Sequence, residues 1–136
     1  MTDAVVVLST AGSQDEAERI ATAVVTERLA ACVNLLAPLT SIYRWRGAVE
    51  RASEVLLIVK TRRRSVAALI ARLRALHSYE VPEAIVLPIV AGSRPYLEWL
   101  LAETAPAKMR ATPRRRPRGS GLRSASARSR GRPRPR

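Results

Sequence analysis

The first pattern in the chain is Ala4–Leu8 (AVVVL), an unbroken apolar run closed by Ser9-Thr10-Ala11-Gly12. A run this short and apolar on both faces predicts a central, buried strand. Ser13-Gln14-Asp15-Glu16 follows in capping-box form, with Ser13 placed to cap and Glu16 to reach back. Ala17, Ile20, Ala21 and Val24 then recur at helical spacing, which predicts a helix over about residues 14–30. From Cys32 to Lys60 the period falls to two. Ser41, Tyr43 and Trp45 alternate with Ile42, Arg44 and Arg46, Gly47 is the turn, and Glu54–Lys60 (EVLLIVK) is the return strand. Pro38 should bend the first arm of this hairpin or delay its start.

After Thr61 the helical period returns. Val66, Leu69, Ile70, Leu73 and Leu76 predict a second helix, over about residues 65–76. Ala84–Val90 reads as a fourth strand, and Pro88 within it requires a sheet edge. Tyr96, Leu97, Trp99 and Leu100 predict a short third helix folding back on the domain. The order is β-α-β-β-α-β plus a terminal helix. Its simplest closed form is α+β: the ferredoxin-like arrangement, an antiparallel four-stranded sheet with two helices on one face. The first and third strands are expected at the centre and parallel to each other, with the second and fourth at the edges. Helices on a single side leave apolar positions of the other face in water, which predicts self-association.

Charge divides the chain in two. Residues 1–106 hold 12 of the 24 basic residues and all 11 acidic ones, a net charge of +1, whereas residues 107–136 hold the other 12 basic residues and no acid. The basic pI is therefore a property of the tail and no evidence that the fold binds nucleic acid. The expected organisation is a folded domain over 1–106 and a disordered Arg/Pro/Ser-rich tail over 107–136, where no apolar period is left to offset the entropy of ordering. That tail could hold nucleic acid or an acidic partner by charge alone, but it has no aromatic residue to stack bases. One cysteine excludes an internal disulfide and suits a reducing compartment. No basic leader precedes the first strand and no apolar run is long enough to span a membrane, so a cytoplasmic protein without a membrane partner is expected.

Five ordered blocks carry a family likeness: Glu27–Asn34 (ERLAACVN), Ser41–Gly47 (SIYRWRG), Glu54–Thr61 (EVLLIVKT), Leu76–Glu83 (LHSYEVPE) and Tyr96–Leu100 (YLEWL). Together they resemble the CutA-type divalent-cation tolerance proteins over about residues 4–104. The resemblance implies a ferredoxin-like homotrimer similar to the PII signalling proteins, a role in cation tolerance and the response to metal ions, and no enzymatic reaction. It implies copper binding only for some members, through a cysteine ending the first strand and a His-His pair. The corresponding positions here are Ser9 and Leu76-His77, so one of three ligands remains, and Ser78 stands where the family usually has proline. That copper site is not expected in this chain.

The remaining chemistry is sparse. His77, the only histidine, either satisfies the last carbonyls of the second helix or ligates a metal with Glu80 or Glu83 or with groups of a neighbouring subunit. One imidazole with carboxylates would bind a divalent cation such as copper weakly, and no other cofactor is implied. Cys32 is favoured as a buried thiol over a reactive one. Tyr43, Trp45 and Trp99 are favoured as interface aromatics. Lys60, ending an apolar strand, should find a carboxylate among Glu54, Glu80 and Glu83. Lys60, Tyr79, Glu83 and Tyr96 are the candidates for a small-molecule cleft. Thr10–Ser13 joins a strand to a helix N-terminus but lacks every nucleotide fingerprint, and no nucleophile–base grouping has a recognisable spacing.

Overall fold

A computed structural model describes residues 2–106; the tail expected at 107–136 lies outside the described residues. The elements are β1 (Ala4–Ala11), α1 (Gln14–Thr26), β2 (Cys32–Trp45), β3 (Ala48–Arg62), a 3-10 turn (Arg63–Ser65), α2 (Val66–Leu76), β4 (Ile85–Pro88) and α3 (Arg94–Glu103). The sheet order is β2-β3-β1-β4, which puts the two all-apolar strands at the centre and the proline-bearing strand at an edge. This is the predicted ferredoxin-like arrangement, with one correction. The central pair β1 and β3 runs antiparallel, not parallel. The α1 crossover makes β1 and β2 parallel, and the hairpin then reverses β3.

Alternation sorts the sheet residues between two environments. Val5, Val7, Val55, Leu57 and Val59 face the helices and pack with Ile20 and Val24 of α1 and Leu69 and Leu73 of α2. Helix α1 starts as predicted, with Ser13 Oγ accepting from the Glu16 N–H at 3.1 Å. It ends earlier than its apolar spacing suggests, because Arg28 adopts a left-handed conformation (φ 62°). That reversal returns the Leu29 and Ala30 N–H groups to the Val24 carbonyl. Arg72 of α2 then clamps Glu27 with paired bonds of 2.9 Å, tying the two helices together.

The hairpin is longer than predicted. Pro38 neither stops nor delays β2; the strand instead shifts register between Leu36 and Leu39 and continues to Trp45. Trp45 pairs with Ala48 across a two-residue turn in which Arg46 and Gly47 both have positive φ, 51° and 85°. Such a turn matches strand twist, and glycine at its second position avoids the strain a side chain would meet. The arms beyond Glu54 project past the end of β1, which pairs with β3 only as far as Val55.

The opposite sheet face has no helical cover along most of its length. Val6, Leu8, Leu36, Leu56 and Ile58 lie on it by register, continued by Ile85 and Leu87 of β4. Leu36 is 56% exposed, Ile85 50% and Leu87 44%. Helix α3 closes only the end near Ala4 and Ala31, where Leu97, Trp99, Leu100 and Leu101 pack.

Candidate functional site

Where the hairpin leaves the sheet, the Tyr79–Glu83 segment crosses beside it, and the two line a half-open cleft of about 680 Å³. Tyr43 and Trp45 of β2, Glu50 and Glu54 of β3, and Tyr79, Glu80, Val81 and Glu83 form most of its wall, with Thr10 of β1 at the end of the sheet. Strand periodicity explains the composition of the hairpin wall. Ser41, Tyr43 and Trp45 share one side of β2, so the aromatic residues of the alternating pattern point together.

Glu54 anchors the site. Its Oε1 accepts from Ser41 Oγ and its Oε2 from Tyr79 Oη, each at 2.6 Å. Burial, the bond to this carboxylate and its charge all push the Tyr79 phenol up from its usual value, so the hydroxyl stays a donor. Glycine at position 12 makes room for that ring, since a Cβ there would stand 3.2 Å from the Tyr79 oxygen. Burial raises the Glu83 carboxyl above the ordinary carboxylate range, and the Glu54 charge adds to the shift. Glu80, at the rim, pairs with Arg46 at 3.1 Å, and the same guanidinium lies 5.2 Å from the centre of the Trp45 ring.

Behind this wall sits a buried polar knot. His77 Nε2 lies 2.6 Å from the Thr10 carbonyl oxygen, so it carries the hydrogen and donates. Nδ1 accepts from the Tyr79 N–H at 3.0 Å. Both ring nitrogens are thus engaged within the protomer, Nε2 by the Thr10 carbonyl and Nδ1 by the Tyr79 N–H. The ring does not cap α2 as expected; the backbone N–H of His77 bonds the Leu73 carbonyl while the ring reaches across to β1. Glu16, expected to close the capping box, accepts instead from the Ser78 N–H at 2.7 Å. Burial acts to raise the Glu16 carboxyl, but its hydrogen bonds at Ser78 outweigh it and hold the carboxyl below its ordinary value.

The structure divides the predicted cleft residues. Tyr79 and Glu83 line the cavity, joined by Glu54, Glu50 and Tyr43. Lys60 is on the open face further along β3, where it pairs in register with Cys32. Its ammonium donates to Asn34 Oδ1 and not to the expected carboxylate. Asn34 is the nearer acceptor because it follows Cys32 by one full strand repeat on the same face. Tyr96 belongs with this second group; burial and the nearby Cys32 thiol raise its phenol. Cys32 is half-buried, not enclosed as a buried thiol should be, and free. Trp99 packs inside the protomer against the α3 cluster, while Tyr43 and Trp45 face the cavity. His77, Glu80 and Glu83 are not gathered into a ligand set, and among the described residues no three His, Cys, Asp or Glu side chains are placed to hold a metal ion. Ser9 is buried with its hydroxyl unpaired.

Sequence reasoning missed Glu54 as an anchor. The available signal was its parity with Leu56 and Ile58, which places it on the same face as Thr10 just where β1 ends. The opening charge of an apolar strand reads equally well as a solvated strand end.

Residues 5–103 match the family described as CutA1 divalent ion tolerance protein. The chain is 52% identical over 99 residues to the divalent-cation tolerance protein CutA of Thermus thermophilus, an alignment covering 73% of this chain and 96% of that one. It is 50% identical over 91 residues to human protein CutA, covering 67% of this chain and 51% of the relative, so it spans about half the length of that protein. The solved structure of the Thermus thermophilus divalent cation tolerance protein superimposes with a TM-score of 0.74 at 51% identity, covering 75% and 99% of the two chains. That of CutA from Xylella fastidiosa gives 0.75 at 41% identity, covering 76% and 100%.

Proposed function

The chain belongs to the CutA1 divalent ion tolerance family, and on that premise we propose that it is a divalent-cation tolerance protein acting by binding, not catalysis, as a cytoplasmic homotrimer. The observation that carries the assembly is the open sheet face. Apolar side chains of all four strands share this face, with Leu36 and Ile85 each half or more exposed, and exposed apolar patches of this kind mark association sites. A second and third copy of the same face would bury it by closed rotational symmetry. Size-exclusion light scattering on the full-length protein should return three times the mass of one chain. A monomer would remove the trimer from this reading, leaving the family assignment in place.

Action by binding is supported by what surrounds the candidate nucleophile and base. Cys32 is separated along the sheet from His77, and both nitrogens of His77 are committed to the backbone. A cytoplasmic setting is supported by the free thiol. Direct metal binding, of copper or another divalent cation, is weak in this reading because the one imidazole has no spare lone pair. His77→Gln, which keeps a donor for the Thr10 carbonyl, should leave copper affinity unchanged in a calorimetric titration. A loss of about tenfold or more would reinstate His77 as a ligand.

A further inference from the structure

The projecting part of the hairpin has two sides of opposite character. Residues paired across the strands share a side, so Tyr43 and Glu50 face the cleft together, whereas the pairs Ile42–Arg51 and Arg44–Val49 lie on the outer side. That outer side carries two arginines and no acid. Among the described residues the side chains of Arg44 and Arg51 have no ion-pair or hydrogen-bond partner. Ile42 and Val49 beside them are 65% and 66% exposed, and neither belongs to a core cluster. The inner side is the complement of this. Its cleft wall combines the rings of Tyr43 and Trp45 with carboxylates, and among the described residues no lysine, arginine or histidine contributes to it. Two of those carboxylates, Glu50 and Glu83, are likewise without an ion-pair or hydrogen-bond partner among the described residues.

From this two-sided hairpin we propose that the outer side of one copy docks into the cleft of the next copy in the trimer, setting Arg44 and Arg51 against Glu50 and Glu83 of the partner subunit. The proposal rests on the trimer reading above and says which surfaces meet in it. Symmetry requires an unlike pair of surfaces. Neighbours in a three-membered ring have no two-fold axis between them, so each junction joins two different patches of the same chain. Because both sides belong to one hairpin, each copy gives its outer side to one neighbour and receives the other's in its cleft. Charge and apolar character match together. Guanidinium forks suit carboxylates and also stack on rings such as those of Tyr43 and Trp45. Ile42 and Val49 leave water in the same step. The cleft adjoins the open apolar face at Thr10 and Glu54, so one continuous interface covers both. A nucleic acid on the outer side would meet the arginines but leave the acidic wall unmatched, whereas a second copy satisfies both surfaces. A cation beside Glu83 also offsets the burial and the Glu54 charge that raise its carboxyl.

Two charge reversals and their combination test the docking, read by light scattering on the full-length protein across a urea series. Arg44→Glu with Arg51→Glu sets like charges against each other at every junction, and so does Glu50→Lys with Glu83→Lys. Each pair should lose the trimer mass at a urea concentration lower than the parent's by about 1 M or more. The quadruple variant restores opposite charges across the junction and should recover most of that loss. None of the four side chains belongs to a core cluster, so the far-ultraviolet circular dichroism of every variant should match the parent's. The arginines face away from Glu50 within one chain, so recovery reports contact between chains. A trimer indifferent to both reversals, or a quadruple variant no better than the weaker pair, would overturn the docking with the trimer still standing. A monomeric parent would overturn the trimer and the docking with it, and that result needs no variant.

Discussion

On the proposed trimer, replacing Ile58 with aspartate should give a monomer while leaving the fold of each chain in place. Ile58 lies mid-strand on the open face, opposite Leu8 on one side and Asn34 on the other. In a lone protomer the new carboxylate meets water, and the loss of a β-branched residue costs at most about 1 kcal/mol. Inside a symmetric assembly the same carboxylate would be buried without a partner, at a penalty of several kcal/mol per subunit. Rotational symmetry repeats that penalty in every subunit. Light scattering should therefore report one third of the parent mass, with the far-ultraviolet circular dichroism retained. An Ile58→Asp protein that is still trimeric would move the interface off this face.

Loss of the Glu16 side chain is the second large effect. Its carboxylate accepts from the Ser78 N–H at 2.7 Å and faces His77 Nδ1 at 3.6 Å, joining the start of α1 to the end of α2. Hydrogen bonds to charged groups contribute roughly 1.5–3 kcal/mol, so Glu16→Ala should lose about that much stability at neutral pH in a denaturant titration. The carboxyl lies below its ordinary value in the fold. Its contribution is therefore present above the unfolded-state pKa and is lost as pH falls through the lower folded-state value. Glu16→Gln keeps an acceptor for Ser78 and removes only the charge. Its stability should fall less than that of Glu16→Ala at neutral pH and be flatter than the parent's on the acid side. Glu83 has the opposite sign: its carboxyl is raised, so its ionisation withdraws stability as pH rises through the folded-state value. Equal acid limbs in the parent and Glu16→Gln would show that Glu16 is not held as described.

The candidate site was only partly legible in the chain. The Leu76–Glu83 block marked Tyr79 and Glu83, and both line the cavity. Lys60 and Tyr96, the other two cleft candidates, lie at the far end of β3 beside Cys32. An extended strand advances about 3.3 Å per residue, so Glu54 and Lys60 cannot share a compact site although both end the same apolar run. The partner of His77 was likewise out of reach. Its position after α2 suggested a helix cap, but the Thr10 carbonyl that it binds is 67 residues away in the chain.

Local periodicity determined the elements and most of the topology by itself. An apolar run with no polar face must be buried on both sides, a proline must find an edge, and a capping serine must start a helix; each of these is a nearest-neighbour constraint. The open apolar face followed from the same count, since two helices cover one side of a four-stranded sheet. The direction of β3 against β1 required the crossover and hairpin to be traced in space. Tertiary structure alone decided how far the hairpin projects, which carboxylate Tyr79 binds, and that His77 and Glu16 spend their polar atoms on backbone from other elements. Those are contacts between residues far apart in sequence, and side-chain pattern carries no information on which distant hydrogen-bond partner folding will bring within about 3 Å.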